Sequence, residues 1–269
     1  MGLFKNIANS GYTGPVEYEQ NFCEYTETFG KSPVLISCDM NFAKMVSGTS
    51  LNCCLKIQMD VYVQEDLPTL ISESEASYVS MVRSSLSEHI GGRFVGQGII
   101  GSSGVAFLMF YIPERSAAAA KKMLTEVFLG SFRHVQTTVL FDPEGNQYFK
   151  YLYPSELQIK QSENSRILKQ LKTYGDNGKT PRPVKFNLVF PSKKAALSFY
   201  SRSMEKGFEY VDLVSEDPPE GMVLPRYNLV IVKTIPFDID LLLRVDSYLL
   251  NLSAEFDGEY KSLETDILE

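Results

Sequence analysis

The sequence contains no tryptophan, only two histidines and only four cysteines among its 269 residues. With His89 and His134 alone available, and no Gly-x-Ser-x-Gly segment, a Ser-His or Cys-His catalytic mechanism has few residues to work with. The cysteines show no Cys-x-x-Cys spacing, which disfavours a zinc site. The sequence therefore predicts no catalytic residue, no metal ligand and no cofactor, and it favours a protein that is not an enzyme.

Long apolar runs are also missing. No stretch approaches the ~20 apolar residues that cross a bilayer, and residues 1–7 lead into polar residues without the apolar segment of a signal peptide. We therefore expect a cytoplasmic protein with no membrane partner. Lys and Arg number 26 against 33 Asp and Glu, a net charge of −7. Because an acidic chain repels phosphate backbones, nucleic acid is disfavoured as the main partner.

Alternating apolar residues and helical periodicity organise the first part of the chain. From Leu51 to Phe141 they predict the order β-α-β-β-α-β. The strands are expected at 51–63, 93–100, 105–112 and 135–141, and the helices at 67–90 and 113–129. A further strand is expected at 33–40 and a polar helix at 155–174.

The second part of the chain repeats this order. Strands are expected at 184–190, 208–214, 226–235 and 256–263, with helices at 193–206 and 236–252. Residues 175–183 are rich in Gly and Pro and predict a linker. The predicted fold is α+β, with two ferredoxin-like (βαββαβ) antiparallel-sheet domains at 1–174 and 184–269 that carry their helices on one face.

Three segments suggest ligands, and each has a structural alternative. Residues 96–101 spell Gly-x-Gly-x-x-Gly, but a strand rather than a helix follows, which argues against dinucleotide binding. Residues 103–110 partly match an RNA-binding strand and keep one stacking ring, Phe107, so weak RNA binding by the first sheet stays open. Tyr148, Tyr151 and Tyr153 follow Asp142-Pro143 and form either a binding surface or a turn packed on the sheet.

The C-terminal part, about 183–269, resembles the family of the regulator of ribonuclease E activity, type B. The resemblance lies in four short segments, 185–190, 205–208, 227–230 and 252–260. The family usually closes with Tyr-Asp-Gly-Trp-Glu-Thr, whereas residues 260–265 read Tyr-Lys-Ser-Leu-Glu-Thr, so Leu263 stands in place of the tryptophan. The resemblance implies a ferredoxin-like fold and inhibition of a nuclease by protein contact.

The N-terminal part, about 14–155, resembles family 695 of the domains of unknown function. The shared features are Leu67-Pro68, the hairpin at 92–111 and the segment from Asp142-Pro143 to Tyr153. Gly145 stands where that family generally has tryptophan. This resemblance implies a fold but no activity.

Together these observations predict a regulatory protein that binds another protein, an RNA-processing nuclease being the expected partner. Acidic side chains steer binding to basic partners, so the expected surface comprises the loop at 215–225 and the strand at 257–264. Its named residues are Asp217, Glu220, Asp257, Glu259, Tyr260 and Glu264. A small-molecule site or enzyme in a cleft between the two domains is the alternative.

Overall fold

A computed structural model describes residues 18–46, 49–64, 67–100, 103–128, 133–216 and 225–268. The chain divides into two compact units, Met1–Ser155 and Glu156–Glu269. Both contain antiparallel sheets and helices, so the predicted α+β class is confirmed. Within the described ranges, no helix has the length and apolar character needed to cross a membrane.

The first unit contains a six-stranded sheet in the order β1-β2-β6-β7-β3-β8. Its strands are β1 (Phe22–Phe29), β2 (Ser32–Asp39), β3 (Cys53–Asp60), β6 (Arg93–Ile100), β7 (Val105–Ile112) and β8 (Val135–Phe141). A separate two-stranded sheet joins β4 (Val63–Gln64) to β5 (Leu67–Ile71). The hairpin of β6 and β7 and the strand β8 begin and end where the sequence predicts them.

Helices α1 (Glu73–His89) and α2 (Ala117–Phe128) bury one face of the large sheet. The shared core includes Leu55, Ile57, Leu86, Leu108, Phe110 and Leu124. The sequence predicts one helix over 67–90, but residues 67–71 form a strand and the helix starts after Ser72. The Ser72 hydroxyl accepts a hydrogen bond from the Glu75 amide at 3.3 Å, which caps the helix. A third helix, α3 (Asn146–Tyr151), follows β8.

The second unit contains α4 (Glu156–Thr173), α5 (Lys193–Met204), α6 (Ile239–Ala254) and a four-stranded sheet. The strands are β9 (Arg182–Phe190), β10 (Glu209–Glu216), β11 (Arg226–Ile235) and β12 (Glu259–Thr265), in the order β10-β11-β9-β12. Its core combines Phe186, Leu188, Phe199, Leu229, Ile231 and Leu249. The element order from β9 to β12 is β-α-β-β-α-β.

Helix α4 differs from its predicted place in the first domain. It packs against α6, and Leu171 enters the core of the second unit. The segment 175–183 is likewise built into that unit, because the Arg182 Nη2 atom donates to Asp176 Oδ1 at 2.7 Å and both residues are buried. The guanidinium beside it holds the pKa of Asp176 well below its usual range. The compact unit thus starts about twenty residues before the predicted linker.

Candidate protein-interaction surface

Strand β9 separates two faces of the sheet in the second unit. Its alternate residues Val184, Phe186, Leu188 and Phe190 are buried in the core with α5 and α6. On the opposite face Lys185 is exposed and Asn187 and Val189 are half-buried. A strand turns successive side chains to opposite faces, so this second face, here called the open face, presents polar groups to solvent.

Glu259 and Glu264 both lie on the open face, where they are exposed. Glu259 stands opposite Val189 and Glu264 opposite Lys185, and a bulge at Lys261 between them shifts the register by one residue. Without that bulge an odd and an even position would point to opposite faces. The bulge therefore brings the two predicted carboxylates together on one surface.

Side-chain contacts orient these two carboxylates. The Asn187 Nδ2 atom donates to Glu264 Oε1 at 3.1 Å. Glu259 forms an ion pair with Lys261 and lies 3.9 Å from the Arg226 Nη1 atom. Exposed ion pairs of this kind contribute little to stability, so both carboxylates remain free to exchange these contacts for a partner's cations.

Tyr260 lies in the core instead of on the predicted surface. Its side chain is 5% exposed, and its hydroxyl donates to Asp246 Oδ1 at 2.8 Å. The Lys160 Nζ atom lies 4.9 Å from the centre of its ring. Tyr260 follows Glu259 directly and therefore points inward by simple alternation, while the bulge after it turns Leu263 inward as well. Tyr260 therefore stabilises β12 from the core side and is not itself available to a partner.

Asp246 is fully buried below this strand. Besides Tyr260 it accepts a hydrogen bond from Asn164 Nδ2 at 2.6 Å. Burial raises the pKa of Asp246 above its usual range, while these hydrogen bonds and the charge of Lys160 oppose the shift. The carboxylate is bonded to protein groups on both oxygens, which indicates a role in joining α4, α6 and β12.

Asp257 occupies the turn between α6 and β12, where it is exposed. Its backbone has a φ of 53°, in the left-handed region, and the Gly258 amide donates to Ser253 O at 2.9 Å. This is the hydrogen-bond pattern that normally places glycine at the position of Asp257. Gly258 is required for another reason, since a Cβ there would lie 2.2 Å from Phe190 Cε1.

The remaining predicted surface residues, Asp217 and Glu220, lie outside the described residues. On strand β10, which directly precedes these residues in the sequence, the acidic residues Glu209, Asp212 and Glu216 are exposed. Asp212 and Glu216 stand opposite Val230 and Arg226 of β11. Sequence patterns include Glu216 only within the loop at 215–225 and do not single out Glu209 or Asp212, because a bulge between Tyr210 and Asp212 hides their common face from simple alternation.

In the first unit, the predicted motif from Asp142 to Tyr153 packs against the sheet and is held there by hydrogen bonds from buried residues. Asp142 is 5% exposed and accepts hydrogen bonds from the Tyr111 hydroxyl at 2.5 Å and from the Asn146 and Gln147 amides at 2.8 Å each. Burial opposes ionisation, but the Tyr111 hydroxyl and these amides outweigh it and hold the pKa of Asp142 below its usual value. Asp142 therefore anchors the start of α3.

The tyrosines of this motif differ in exposure. Tyr148 is fully buried, and its hydroxyl donates to Asp39 O at 2.7 Å. Tyr151 is half-buried with its ring 4.7 Å from the Lys56 Nζ atom, and Tyr153 is 38% exposed. Pro143 is exposed in the turn. The motif as a whole packs onto the sheet, in agreement with the structural alternative.

The first sheet buries the ring on which RNA binding depends. Phe107 is 4% exposed, and a Cβ at Gly98 would lie 2.3 Å from its ring. A Cβ at Gly96 would similarly lie 2.8 Å from Leu152 Cδ1. These two glycines of the Gly-x-Gly-x-x-Gly segment lie inside β6 and allow close packing. Gly101 lies outside the described residues.

Comparison with known proteins supports the C-terminal resemblance. Residues 161–265 match the family model described as "Regulator of ribonuclease activity B". The second unit is similar to this family. No curated protein sequence matches the chain.

Two solved structures align with most of the chain at low similarity. The "Unknown Protein from Galdieria sulphuraria" is 10% identical with a TM-score of 0.24, and the alignment covers 80% of this chain and 99% of that one. A "putative glycine cleavage system transcriptional repressor" is 6% identical with a TM-score of 0.25, covering 80% and 98% respectively.

Proposed function

We propose that the second unit is a non-enzymatic regulatory module that binds a ribonuclease by protein contact. The observation that carries this proposal is the extent of the family match. Residues 161–265 run from the first part of α4 to the end of β12, which is nearly the whole compact unit. The match thus corresponds to one folded unit with its own core.

We also infer that this unit has the ferredoxin-like arrangement. Its β-α-β-β-α-β order and the strand order β10-β11-β9-β12, with antiparallel neighbours throughout, support that assignment. The helices α5 and α6 contribute to one core with the buried face of the sheet. This arrangement leaves the open face available to a partner.

The open face supplies the chemistry for recognition. Glu259 and Glu264 lie together on it, and Asp257 is exposed at the turn that precedes it. Exposed carboxylates accelerate association with a basic segment and orient it, while contributing less to final affinity. We therefore assign to these three residues the task of steering a basic segment of the ribonuclease onto the sheet.

We further propose that the protein works in a reducing compartment such as the cytoplasm. Cys23, Cys38, Cys53 and Cys54 are all buried and none forms a disulfide. Persisting disulfides are typical of oxidising compartments.

The test is binding of the full chain to purified ribonuclease E from the same organism, measured by interferometry at several salt concentrations. We expect saturable binding whose association rate falls as salt rises. The double substitution Glu259→Gln and Glu264→Gln is expected to slow association about tenfold. As a control, Glu126→Gln removes an exposed carboxylate from α2 of the first unit and should leave the rate unchanged. Absence of binding at low salt, or an equal effect of the control, would contradict the proposal.

A further inference from the structure

Strand β8 is the last strand of the six-stranded sheet. It pairs with β3 from Met59 opposite Val135 to Cys53 opposite Phe141, and the register contains no bulge. Its sequence, VQTTVLF, has no charged residue, no glycine and no proline. A regular edge strand of this composition is a template for pairing with a further strand.

The other edge strands of the two large sheets carry features that oppose such pairing. Strand β1 contains Glu24 and Glu27. Strands β10 and β12 each contain three charged residues and a bulge. Charges and bulges are the usual means by which proteins protect a sheet edge. Strand β8 has neither, which distinguishes it from these three strands.

The side chains of β8 are arranged for a partner on its outer side. Val135 and Val139 pack partly against the core beneath α1 and α2, which fixes the strand in place. Leu140 is 43% exposed and Phe141 65% exposed. The strand thus combines a fixed backbone with exposed apolar side chains at one end.

We propose that β8 pairs with β8 of a second copy of this chain, in an antiparallel register centred on Thr138. Val135 then lies opposite Phe141 of the second copy, Gln136 opposite its Leu140, and Thr137 opposite its Val139. Aromatic with β-branched residues and threonine with threonine are favourable cross-strand pairs. Thr138 meets Thr138 of the second copy on the two-fold axis, and every other pair occurs twice, as a symmetric dimer requires.

Charge favours a second copy at this edge over the edges formed by β1 and β10. The same self-pairing of β1 would set Glu24 opposite Glu27, and that of β10 would set Glu209 opposite Glu216. Like charges directly opposite each other destabilise a strand pair. In a chain with a net charge of −7, an uncharged strand is where two copies meet with least repulsion.

Sedimentation velocity of the full chain over a range of concentrations tests this dimer. We expect a species of twice the 30.3 kDa chain mass that forms as concentration rises. The substitution Thr138→Lys places two ammonium groups opposite each other on the two-fold axis and should weaken the dimer at least about tenfold. Thr28→Lys is the matched control, because Thr28 is also an exposed threonine on an edge strand, and it should leave the dimer intact.

Cysteine substitutions test the register independently, even where the lysine variant fails to fold. Thr138→Cys sets two thiols opposite each other, so mild oxidation should yield a covalent dimer on a non-reducing gel. Gln136→Cys sets its thiol opposite a leucine and should give much less. A parent that stays monomeric at every soluble concentration, a dimer unaffected by Thr138→Lys, or stronger cross-linking through Gln136→Cys would overturn the proposal.

Discussion

Two turns, one in each unit, contain an aspartate and a glycine in opposite roles. In the turn from β8 to α3, Asp142 is buried and accepts several hydrogen bonds, and Gly145 takes the left-handed conformation with a φ of 70°. In the turn from α6 to β12, Asp257 takes the left-handed conformation, and Gly258 is required by the nearby Phe190 ring.

The two aspartates differ in what their carboxylates do: Asp142 stabilises the fold, whereas Asp257 is available to a partner. Asp142 has its oxygens committed to the Tyr111 hydroxyl and the amides of α3, so its carboxylate serves the fold. Asp257 is exposed in a backbone conformation that costs an L-residue free energy. Asp257 therefore contributes less to the stability of its turn than a glycine would, and its carboxylate is available for contact with a partner.

The largest expected effect is at the first turn. Asp142→Ala leaves the Tyr111 hydroxyl and two amides without their acceptor, and should lower the free energy of unfolding by about 3 kcal/mol. Urea unfolding of the full chain, followed by a probe in the first unit, measures it. Glu144→Ala alters an exposed carboxylate of the same turn and should have little effect. Equal effects of the two substitutions would show that Asp142 is not an anchor.

The second largest effect is expected at Gly258. Gly258→Ala introduces a Cβ that lies 2.2 Å from Phe190 Cε1, which should cost about 2 kcal/mol of unfolding free energy. Combining it with Phe190→Leu should recover part of the loss, because the smaller side chain makes room. Strictly additive effects in this double-mutant cycle would exclude the clash as the cause.

A smaller effect of opposite sign is expected at Asp257. Asp257→Gly relieves the left-handed backbone at the price of a more flexible unfolded chain, and should stabilise the second unit by about 0.5 kcal/mol. The same substitution should slow association with the ribonuclease, since it removes an exposed carboxylate. Thermal unfolding and interferometry measure the two effects. Gained stability with unchanged association would remove Asp257 from the interaction surface.

The smallest effect concerns pH and compares Asp142 with Asp246. The raised pKa of Asp246 means that its ionised form destabilises the fold at neutral pH, and this cost shrinks as pH falls through the raised value. Asp246→Asn should therefore stabilise the protein relative to the parent most at about pH 7 and less at about pH 4.5. The lowered pKa of Asp142 has the opposite sign, because its contribution is present at neutral pH and is lost only in stronger acid.

Urea unfolding at several pH values measures this difference. Asn164 Oδ1 is buried with no hydrogen-bond partner among the described groups, so its amide can turn to accept from the new amide of Asp246→Asn. Lys160, Glu163 and Tyr260 also contribute charge or hydrogen bonds near Asp246, and they are unchanged in the variant. A difference between variant and parent that is constant with pH would contradict the raised pKa.

Much of the fold follows from local sequence patterns. The glycine-containing turn between two apolar runs predicts β6 and β7, and the alternation of residues 135–141 predicts β8, each with the observed bounds. The linker-like composition of residues 175–183 predicts a domain boundary there, which places helix α4 in the first domain. The few apolar residues of α4, such as Leu171, pack on a core formed by residues far along the chain, which local patterns do not reveal. Sequence patterns miss strand β1, although β1 pairs with the next strand in a hairpin, because only Cys23 and Tyr25 of its eight residues are buried and its apolar pattern is weak.

Local sequence patterns predict the candidate site less well than the fold. Composition identified the acidic residues near the C-terminus, but simple alternation along the strand does not place Glu259 and Glu264 on one face. The bulge at Lys261 does so, and it also turns Leu263 into the core. A bulge depends on pairing with β9, so its position is a property of the folded sheet and not of the strand sequence alone.

The central claim is that the second unit regulates a ribonuclease by contact. The most direct measurement is the initial rate of RNA cleavage by ribonuclease E as the full chain is added, with the chain alone as a control for intrinsic activity. The account predicts a saturable change in that rate, which needs a higher concentration of the Glu259→Gln and Glu264→Gln double variant than of the parent. A rate that stays constant as the parent is added would contradict it.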